Sequence, residues 1–394
     1  MVPIQELLSQ EIVDFINKNK KSSVAELMLK MPRFSIDPKW VAAQIEGWQK
    51  ALLKLPEWAS KTNIIYPIRL SMEQCSSERT GLYKASITKG NTVVDLTGGF
   101  GVDTFYLSKA FSKSFYIEQQ TELAQIAEHN FHVLERKNIS VLTGNSELLL
   151  KNIGEKIDLI YLDPARRKEQ QKVFKLSDCE PNIVDLQEFY FSFSDSILIK
   201  TSPMLDITEA IRQLGCVSEI HIVSVDNECK EVLYLLNKNH IGEPTFKCIH
   251  DYKKTYQLFD FKSSEENSNK AELSMPLNYL YEPNPSILKA GAFNSITKKY
   301  DTFKLHPSSH LYTSSNYIKD FPGRIFKITH SVGYDKKEIQ GLIPEGKANI
   351  QTRNFPDSVE EIRKKVKLKD GGNIFIFATT LQDSSKAILV CEKI

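Results

Sequence analysis

A glycine-rich stretch, VVDLTGGFGVDTF (93–105), could bring the main chain close to a bound ligand. Gly98, Gly99 and Gly101 permit a tight turn, and the helical pattern that follows would point its N-terminus at the same place. Neither GxGxxG nor GxxxxGK[ST] is present, which disfavours a dinucleotide or nucleoside-triphosphate site. A strand-to-helix turn without a ligand is the alternative. Asp95, which ends the preceding apolar run, is the first candidate for polar contact with a ligand.

A second candidate, DLIYLDPARR (158–167), ends an apolar run on a carboxylate. Asp163 at that position loses hydration unless it has a partner. Asp163 and Pro164 could simply form a turn, with Arg166 or Arg167 neutralising the acid. A functional role for the Asp163 carboxylate is the other interpretation. These residues alone leave both interpretations open.

Alternating strands and helices would position both stretches. Short apolar strands separated by amphipathic helices predict a doubly wound α/β fold, a mostly parallel sheet covered on both faces. The predicted strands are 92–96, 113–118, 139–144, 157–163, 196–201, 218–225 and 256–262. Because the carboxyl ends of parallel strands lie at one edge, where ligands bind in such sheets, the two stretches should meet there.

Pattern and composition change along the chain and predict its domains. The first part reads as helices, and a polar stretch separates the sheet from a later compact α+β pattern. The predicted boundaries are an N-terminal helical region (1–66), the sheet domain (67–262), a linker (263–275), a mixed segment (276–322) and a final α+β domain (323–394).

The composition is ordinary for a globular protein. The 394 residues are 41% hydrophobic and 25% charged, with a net charge of +2, so an obligate nucleic-acid coat is excluded. The six cysteines form no CxxC pair, which argues against a structural zinc site or a disulfide framework, and we expect no metal. There is no signal-like N-terminus and no run of eighteen apolar residues, so we expect a cytoplasmic protein without membrane contact.

The D-x-T-x-G-x-G pattern from Asp95 to Gly101 resembles the class I S-adenosylmethionine-dependent methyltransferases. The resemblance implies a seven-stranded Rossmann-like sheet and S-adenosylmethionine as cofactor. It implies that Asp95 orients the methionine part of the cofactor, that Glu118 holds the ribose hydroxyls, and that the Asn145 carbonyl accepts the adenine amine with Ser146 as its neighbour. The implied cofactor-binding set is Asp95, Thr97, Gly98, Gly99, Gly101, Glu118, Asn145, Ser146 and Asp163.

DPAR (163–166) is similar to the [D/N/S]-P-P-[Y/F/W] motif of methyltransferases that modify exocyclic base nitrogens. That similarity implies that Asp163 and the carbonyl after it orient the amine, with Asp163, Pro164 and Arg166 at the reaction centre. Enzymes that methylate C5 of uracil carry a similar motif, but they need a cysteine after the fifth strand. LIKTSPMLD (198–206) has none. The covalent route is disfavoured, and Cys75 and Cys179 stay open as nucleophiles.

The polar segment SMEQCSSERTGLYK (71–84) precedes the first strand of the predicted sheet. It resembles the segment that closes over the cofactor in related enzymes. A helix N-cap followed by an amphipathic helix explains the same residues.

The whole chain resembles an uncharacterised bacterial methyltransferase family with a ferredoxin-like segment, here 276–322, and a THUMP-like C-terminal domain, here 323–394. That resemblance implies that the C-terminal domain binds RNA, either rRNA or tRNA. From Gly323 onward there are 13 Lys and Arg against 9 Asp and Glu, a local excess of +4. A merely solvated helix face would explain these lysines too. A non-catalytic RNA-binding or assembly factor, and a methyltransferase for DNA or a small molecule, are the alternatives.

Overall fold

The computed structural model describes residues 2–67, 69–166, 175–252 and 255–394. Two compact units account for the chain. The first unit comprises Met1–Val217 with Tyr234–Ile241, and the second unit comprises Ser218–Leu233 with Gly242–Ile394.

The helices of the first unit alternate with its strands after an all-helical start. The helices are α1 (Ile4–Leu7), α2 (Gln10–Asn19), α3 (Val24–Lys30), α4 (Pro38–Lys54), α5 (Pro56–Ala59), α6 (Arg69–Gln74), α7 (Glu78–Ser86), α8 (Val102–Leu107), α9 (Thr121–Val133), α10 (Ser146–Lys151), α11 (Ile183–Phe191) and α12 (Ile207–Leu214). A short 3-10 helix covers Leu176–Asp178. Across the described ranges, no helix has both the length and the apolarity needed to cross a membrane.

The parallel strands of the first unit place the sequence candidates at one edge of the sheet. The strands are β1 (Gly90–Asp95), β2 (Phe111–Glu118), β3 (Ile139–Thr143), β4 (Leu159–Leu162), β5 (Ala165–Arg166), β6 (Cys179–Glu180) and β7 (Ser196–Thr201). Five of them lie in the parallel order β3-β2-β1-β4-β7, and β5 with β6 forms a separate two-stranded ladder. The chain order reverses between β1 and β4, which is where open α/β sheets bind ligands.

The sheet continues through four further strands. They are β8 (Val217–Val225), β9 (Glu228–Asn237), β10 (Thr245–Tyr252) and β11 (Thr255–Lys262). The full order is β11-β10-β8-β9-β7-β4-β1-β2-β3, with β8 and β10 parallel and β10 and β11 antiparallel.

The doubly wound α/β class is confirmed, but the described residues form nine strands in this sheet rather than the expected seven. The strands that the sequence pattern did not predict are β9 and β10. β9 follows β8 after only Asp226 and Asn227, whose φ angles are 49° and 65°. Positive φ at both central residues is the mark of a two-residue hairpin loop, for which Asp and Asn are suited. That dipeptide was the available signal for β9.

The N-terminal helices share a core with the glycine turn. Trp58 of α5 is fully buried, and its ring centroid lies 4.9 Å from that of Phe100 and 5.4 Å from that of Phe105. The predicted N-terminal helical region therefore packs against the glycine turn.

A seven-stranded sheet organises the second unit. Its helices are α13 (Ser263–Ser268), α14 (Pro285–Ala290), α15 (Ser295–Tyr300), α16 (Lys336–Leu342) and α17 (Val359–Val366). Its further strands are β12 (Tyr279–Pro283), β13 (Phe303–Lys304), β14 (Tyr312–Ser314), β15 (Gly323–Gly333), β16 (Asn349–Arg353), β17 (Ile374–Thr380) and β18 (Lys386–Lys393). Their order is β13-β14-β12-β15-β18-β17-β16, so segments 276–322 and 323–394 share one sheet through the β12–β15 pairing.

The predicted linker 263–275 is not an open connection, because α13 lies within it. The Glu266 carboxylate accepts hydrogen bonds from the main-chain N–H groups of Phe293, Asn294 and Ser295 at 3.0, 2.8 and 2.7 Å. The polar pattern of this segment predicted a linker. Its Glu266 side chain instead accepts hydrogen bonds from otherwise unpaired donors at the start of α15.

Candidate functional site

The Asp95 carboxylate stabilises the glycine turn through two hydrogen bonds. One carboxylate oxygen accepts the Thr97 N–H at 3.0 Å, and the other accepts the Thr104 hydroxyl at 2.6 Å. The Asp95 side chain is buried, with 1% of the residue exposed. The carboxylate therefore joins the end of β1 to α8 and shapes the glycine turn. This is the turn at which the sequence predicted a ligand contact for Asp95.

The three glycines serve different purposes. A Cβ atom on Gly98 would lie 2.3 Å from the Tyr116 ring, and one on Gly101 would lie 2.7 Å from the Phe131 ring. Gly99 instead has φ +55° and open space, since the nearest atom to a Cβ there would be the Thr97 carbonyl oxygen at 3.8 Å. Gly98 and Gly101 are thus required by packing, whereas Gly99 leaves open space beside the turn. The N–H of Gly99 donates to Glu118, and its carbonyl accepts the Tyr116 hydroxyl at 2.6 Å.

Glu118, at the end of β2, contacts this turn directly. Its Oε2 accepts the Gly99 N–H at 2.8 Å, and its Oε1 accepts the Gln120 N–H at 2.9 Å. A carboxylate oxygen can accept more than one hydrogen bond, so both oxygens retain acceptor capacity for paired hydroxyl groups. The structure therefore brings Glu118 and the glycine turn together, as the sequence pattern predicted.

Asn145 caps a helix. Its side-chain oxygen accepts the Leu148 N–H at 2.9 Å at the start of α10, and Ser146 beside it is 3% exposed. The main chain just before Asn145 lies near the site, because the Gly144 N–H donates to the Glu118 carbonyl at 2.9 Å. An adenine amine would have to share the Asn145 oxygen with the cap.

Asp163 lies beside the turn and has a partner that its local sequence does not indicate. Its N–H donates to the Thr97 hydroxyl at 2.6 Å, and its Oδ2 contacts the Lys200 ammonium. Lys200 lies in β7, within the apolar run ILIKT. A lysine inside a buried strand needs an acidic partner, and that was the missed signal.

The predicted arginines are only partly described. Arg166 has its main chain in β5, paired with Cys179 of β6, and Arg167 lies outside the described residues. The partner that the structure gives to Asp163 is Lys200. Pro164 follows Asp163 directly, so its carbonyl stays the second predicted acceptor.

The surroundings of Cys75 disfavour it as a nucleophile. Burial, the main effect, raises the pKa of the Cys75 thiol, which makes it a weak nucleophile, and the thiol donates to the Met72 carbonyl at 3.3 Å. In the part of the chain that the structure describes, no group of three or more His, Cys, Asp or Glu side chains could hold a metal ion.

Asp95 should make stability depend on pH. Burial raises the pKa of its carboxyl to about 7; hydrogen bonds from Thr104 and Thr97 oppose this shift, while the Asp103 and Asp163 carboxylates add to it. The folded protein therefore binds a proton that the unfolded chain has already lost, so stability falls as pH rises toward 7.

We expect Asp95→Asn to abolish that fall. The unfolding free energy of Asp95→Asn minus that of the wild type should rise by on the order of 2–3 kcal/mol between pH 5 and pH 8. The reason is that the amide never becomes charged. Urea unfolding of both proteins across this pH range is the measurement. A constant difference between them would contradict the assignment.

Comparisons with known proteins identify relatives of the chain. The crystal structure of a "putative methyltransferase" from Porphyromonas gingivalis W83 is 35% identical in sequence, with a TM-score of 0.88 and 97% of each chain covered. An "uncharacterized S-adenosylmethionine-dependent methyltransferase" of Mycobacterium tuberculosis is 17% identical over 79% of this chain and 83% of its own. Family models described as a ferredoxin-like domain and a THUMP domain-like module match residues 279–322 and 323–393.

Proposed function

Because the chain belongs to the S-adenosylmethionine-dependent methyltransferase family of the Porphyromonas gingivalis protein, we propose that it methylates a base nitrogen in structured RNA. The observation that carries the proposal is the position of Asp163, whose main chain is hydrogen-bonded to Thr97 of the glycine turn. S-adenosylmethionine is the methyl donor, and rRNA or tRNA is the proposed acceptor.

The glycine turn and Glu118 are the proposed cofactor contacts. The open space beside Gly99 would accommodate the methionine part of the cofactor, and Glu118 would accept the ribose hydroxyls. The bond from the Gly99 N–H to Glu118 fixes the carboxylate before the cofactor arrives, so little ordering remains to be done on binding.

Asp163 is the proposed acceptor for the target amine. Its Oδ2 contacts Lys200, whereas no hydrogen-bond donor to Oδ1 is found among the described ranges. The Asp163 side chain is 35% exposed, so a base could reach it. An acceptor aligned with the amine N–H directs the nitrogen lone pair toward the methyl group.

The second unit is the proposed RNA contact. It contains the segment that matches a THUMP domain-like model, and positive charge is concentrated in RKKVKLK (363–369). Lys364 and Lys369 of that stretch are exposed. Exposed ammonium groups bind phosphates regardless of base sequence, which leaves the choice of base to the region around Asp163.

Mass spectrometry of modified nucleosides tests this proposal. RNA from a deletion strain should lack one methylated nucleoside present in its parent, and the wild-type gene should restore it. Restoration by the Asp163→Ala gene as well would show that the modification does not need Asp163. Unchanged rRNA and tRNA would leave DNA or a small molecule as the substrate.

Reversing two exposed positive charges should weaken RNA binding without affecting the cofactor. We expect Lys364→Glu/Lys369→Glu to lower RNA affinity by about tenfold and to make the salt dependence shallower by roughly 0.7–0.9 for each phosphate that the variant no longer neutralises. Titrations with RNA at several salt concentrations measure both quantities. These substitutions are preferable to deleting 323–394, since deletion would remove the β15 partner of β12.

Lys18→Glu/Lys21→Glu is the matched control, because it changes the same number of exposed lysines in the N-terminal region. Equal losses of affinity in the two double variants would indicate general electrostatics and contradict a specific role for the second unit.

A further inference from the structure

A buried row of alternating charges leads to Asp163. Lys84 of α7 lies 3.1 Å from Asp103 Oδ1, Lys200 of β7 lies 3.5 Å from Asp103 Oδ2, and the Lys200 ammonium also contacts Asp163. Lys84 is fully buried and Asp103 is 9% exposed. The side chains come from four separate places in the first unit, so only the folded chain assembles the row.

Neutral groups fix Asp103 in the middle of this row. The Ser76 and Tyr161 hydroxyls each donate to Asp103 Oδ2 at 2.8 Å. Burial acts to raise the pKa of the Asp103 carboxyl, but the Lys84 and Lys200 ammonium groups and these two hydroxyls hold the pKa well below its ordinary value. Asp103 is therefore a fixed negative charge.

The charges in the row explain why two lysines are present. A buried ion is retained only where opposite charge and hydrogen bonds replace its water. If Lys84 were missing, Lys200 alone would have to compensate Asp103 and Asp163. With Lys84 on the far side of Asp103, Lys200 is available to Asp163.

We infer that Lys200 is a positioning residue for methyl transfer, an inference that rests on the proposed function. By occupying Oδ2, Lys200 fixes the rotamer of the Asp163 side chain, so that Oδ1 alone meets the target amine. The buried Lys84–Asp103 pair in turn fixes Lys200. Asp163 then acts as a hydrogen-bond acceptor through Oδ1.

The reaction balances without a proton on Asp163 during transfer. The amine lone pair forms a bond to the methyl carbon while the carbon–sulfur pair leaves on sulfur, which neutralises the sulfonium. The nitrogen gains the positive charge and keeps its N–H hydrogen-bonded to Oδ1. It loses one proton to water afterwards, and the carboxylate is unchanged at the end of the cycle.

A double-mutant cycle tests the inference. Turnover on RNA is measured for the wild type, Lys200→Met, Asp163→Asn and the double variant, with cofactor affinity measured by calorimetry. Lys200→Met alone should lower turnover by roughly tenfold or more and leave cofactor affinity within about threefold. The double variant should turn over within about threefold of Asp163→Asn, because Lys200 acts only through the Asp163 charge.

The double variant keeps the test decisive if Lys200→Met fails to fold. It removes one positive and one negative charge and leaves Asp103 paired with Lys84. Lys200→Arg, which retains the charge, should recover part of the activity that Lys200→Met lacks. A further decrease in turnover of about tenfold or more from Asp163→Asn to the double variant would overturn the inference and leave the proposed function intact. Absence of transfer by the wild type would overturn the proposed function itself.

Discussion

Replacing Asp163 by alanine is expected to lower turnover by on the order of a hundredfold or more while cofactor affinity changes little. Alanine removes the acceptor that orients the target amine, an interaction that improves as charge develops on nitrogen during transfer. It leaves the bond from residue 163 N–H to the Thr97 hydroxyl possible, so the glycine turn keeps that support. Single-turnover methyl transfer to RNA and calorimetry with the cofactor measure the two effects.

Asp163→Asn distinguishes orientation from proton removal. An amide oxygen is still an acceptor, so partial activity indicates orientation, whereas almost complete loss of activity would indicate that the carboxylate takes a proton. If Asp163-Pro164 were only a turn, both variants would show near-normal turnover in the folded fraction and a modest loss of stability. Full activity in both variants would remove Asp163 from the mechanism.

Replacing Glu118 by alanine is expected to weaken cofactor binding by roughly 1–3 kcal/mol. The variant lacks the proposed charge-assisted bonds to the ribose and also leaves the Gly99 N–H without the acceptor it has at 2.8 Å. The missing ribose bonds and the missing acceptor for the Gly99 N–H both affect the glycine turn. Calorimetric titration with S-adenosylmethionine gives the affinity directly.

Two variants serve as controls for Glu118. Glu118→Gln keeps an acceptor for the Gly99 N–H, so its remaining deficit in affinity measures the effect of the missing charge. Glu128→Ala removes an exposed glutamate from α9 and should leave affinity unchanged. If Glu118→Ala bound the cofactor as well as Glu128→Ala does, Glu118 would lie outside the binding site.

The local sequence predicted the scaffold of the site because its signals are short-range. An apolar run ending in Asp95, followed by closely spaced glycines, can be read from thirteen residues (93–105). The ends of β2 and β4 are equally plain in SFYIE and LIYLD. Since parallel strands end at a common edge, placing Asp163 near the turn required only the order of elements, whereas Glu118 was implied by the resemblance to methyltransferases.

The sequence alone also determined the fold class, through alternating strands and helices. The spacing of its cysteines argued against a zinc or disulfide framework. Only the tertiary structure decided which charges pair. Lys200 meets Asp103 and Ser76 from 97 and 124 residues away, and it contacts Asp163 from a different strand. The physical reason is that the cost of burying a charge depends on every neighbour in space, and sequence separation does not constrain which neighbours those are.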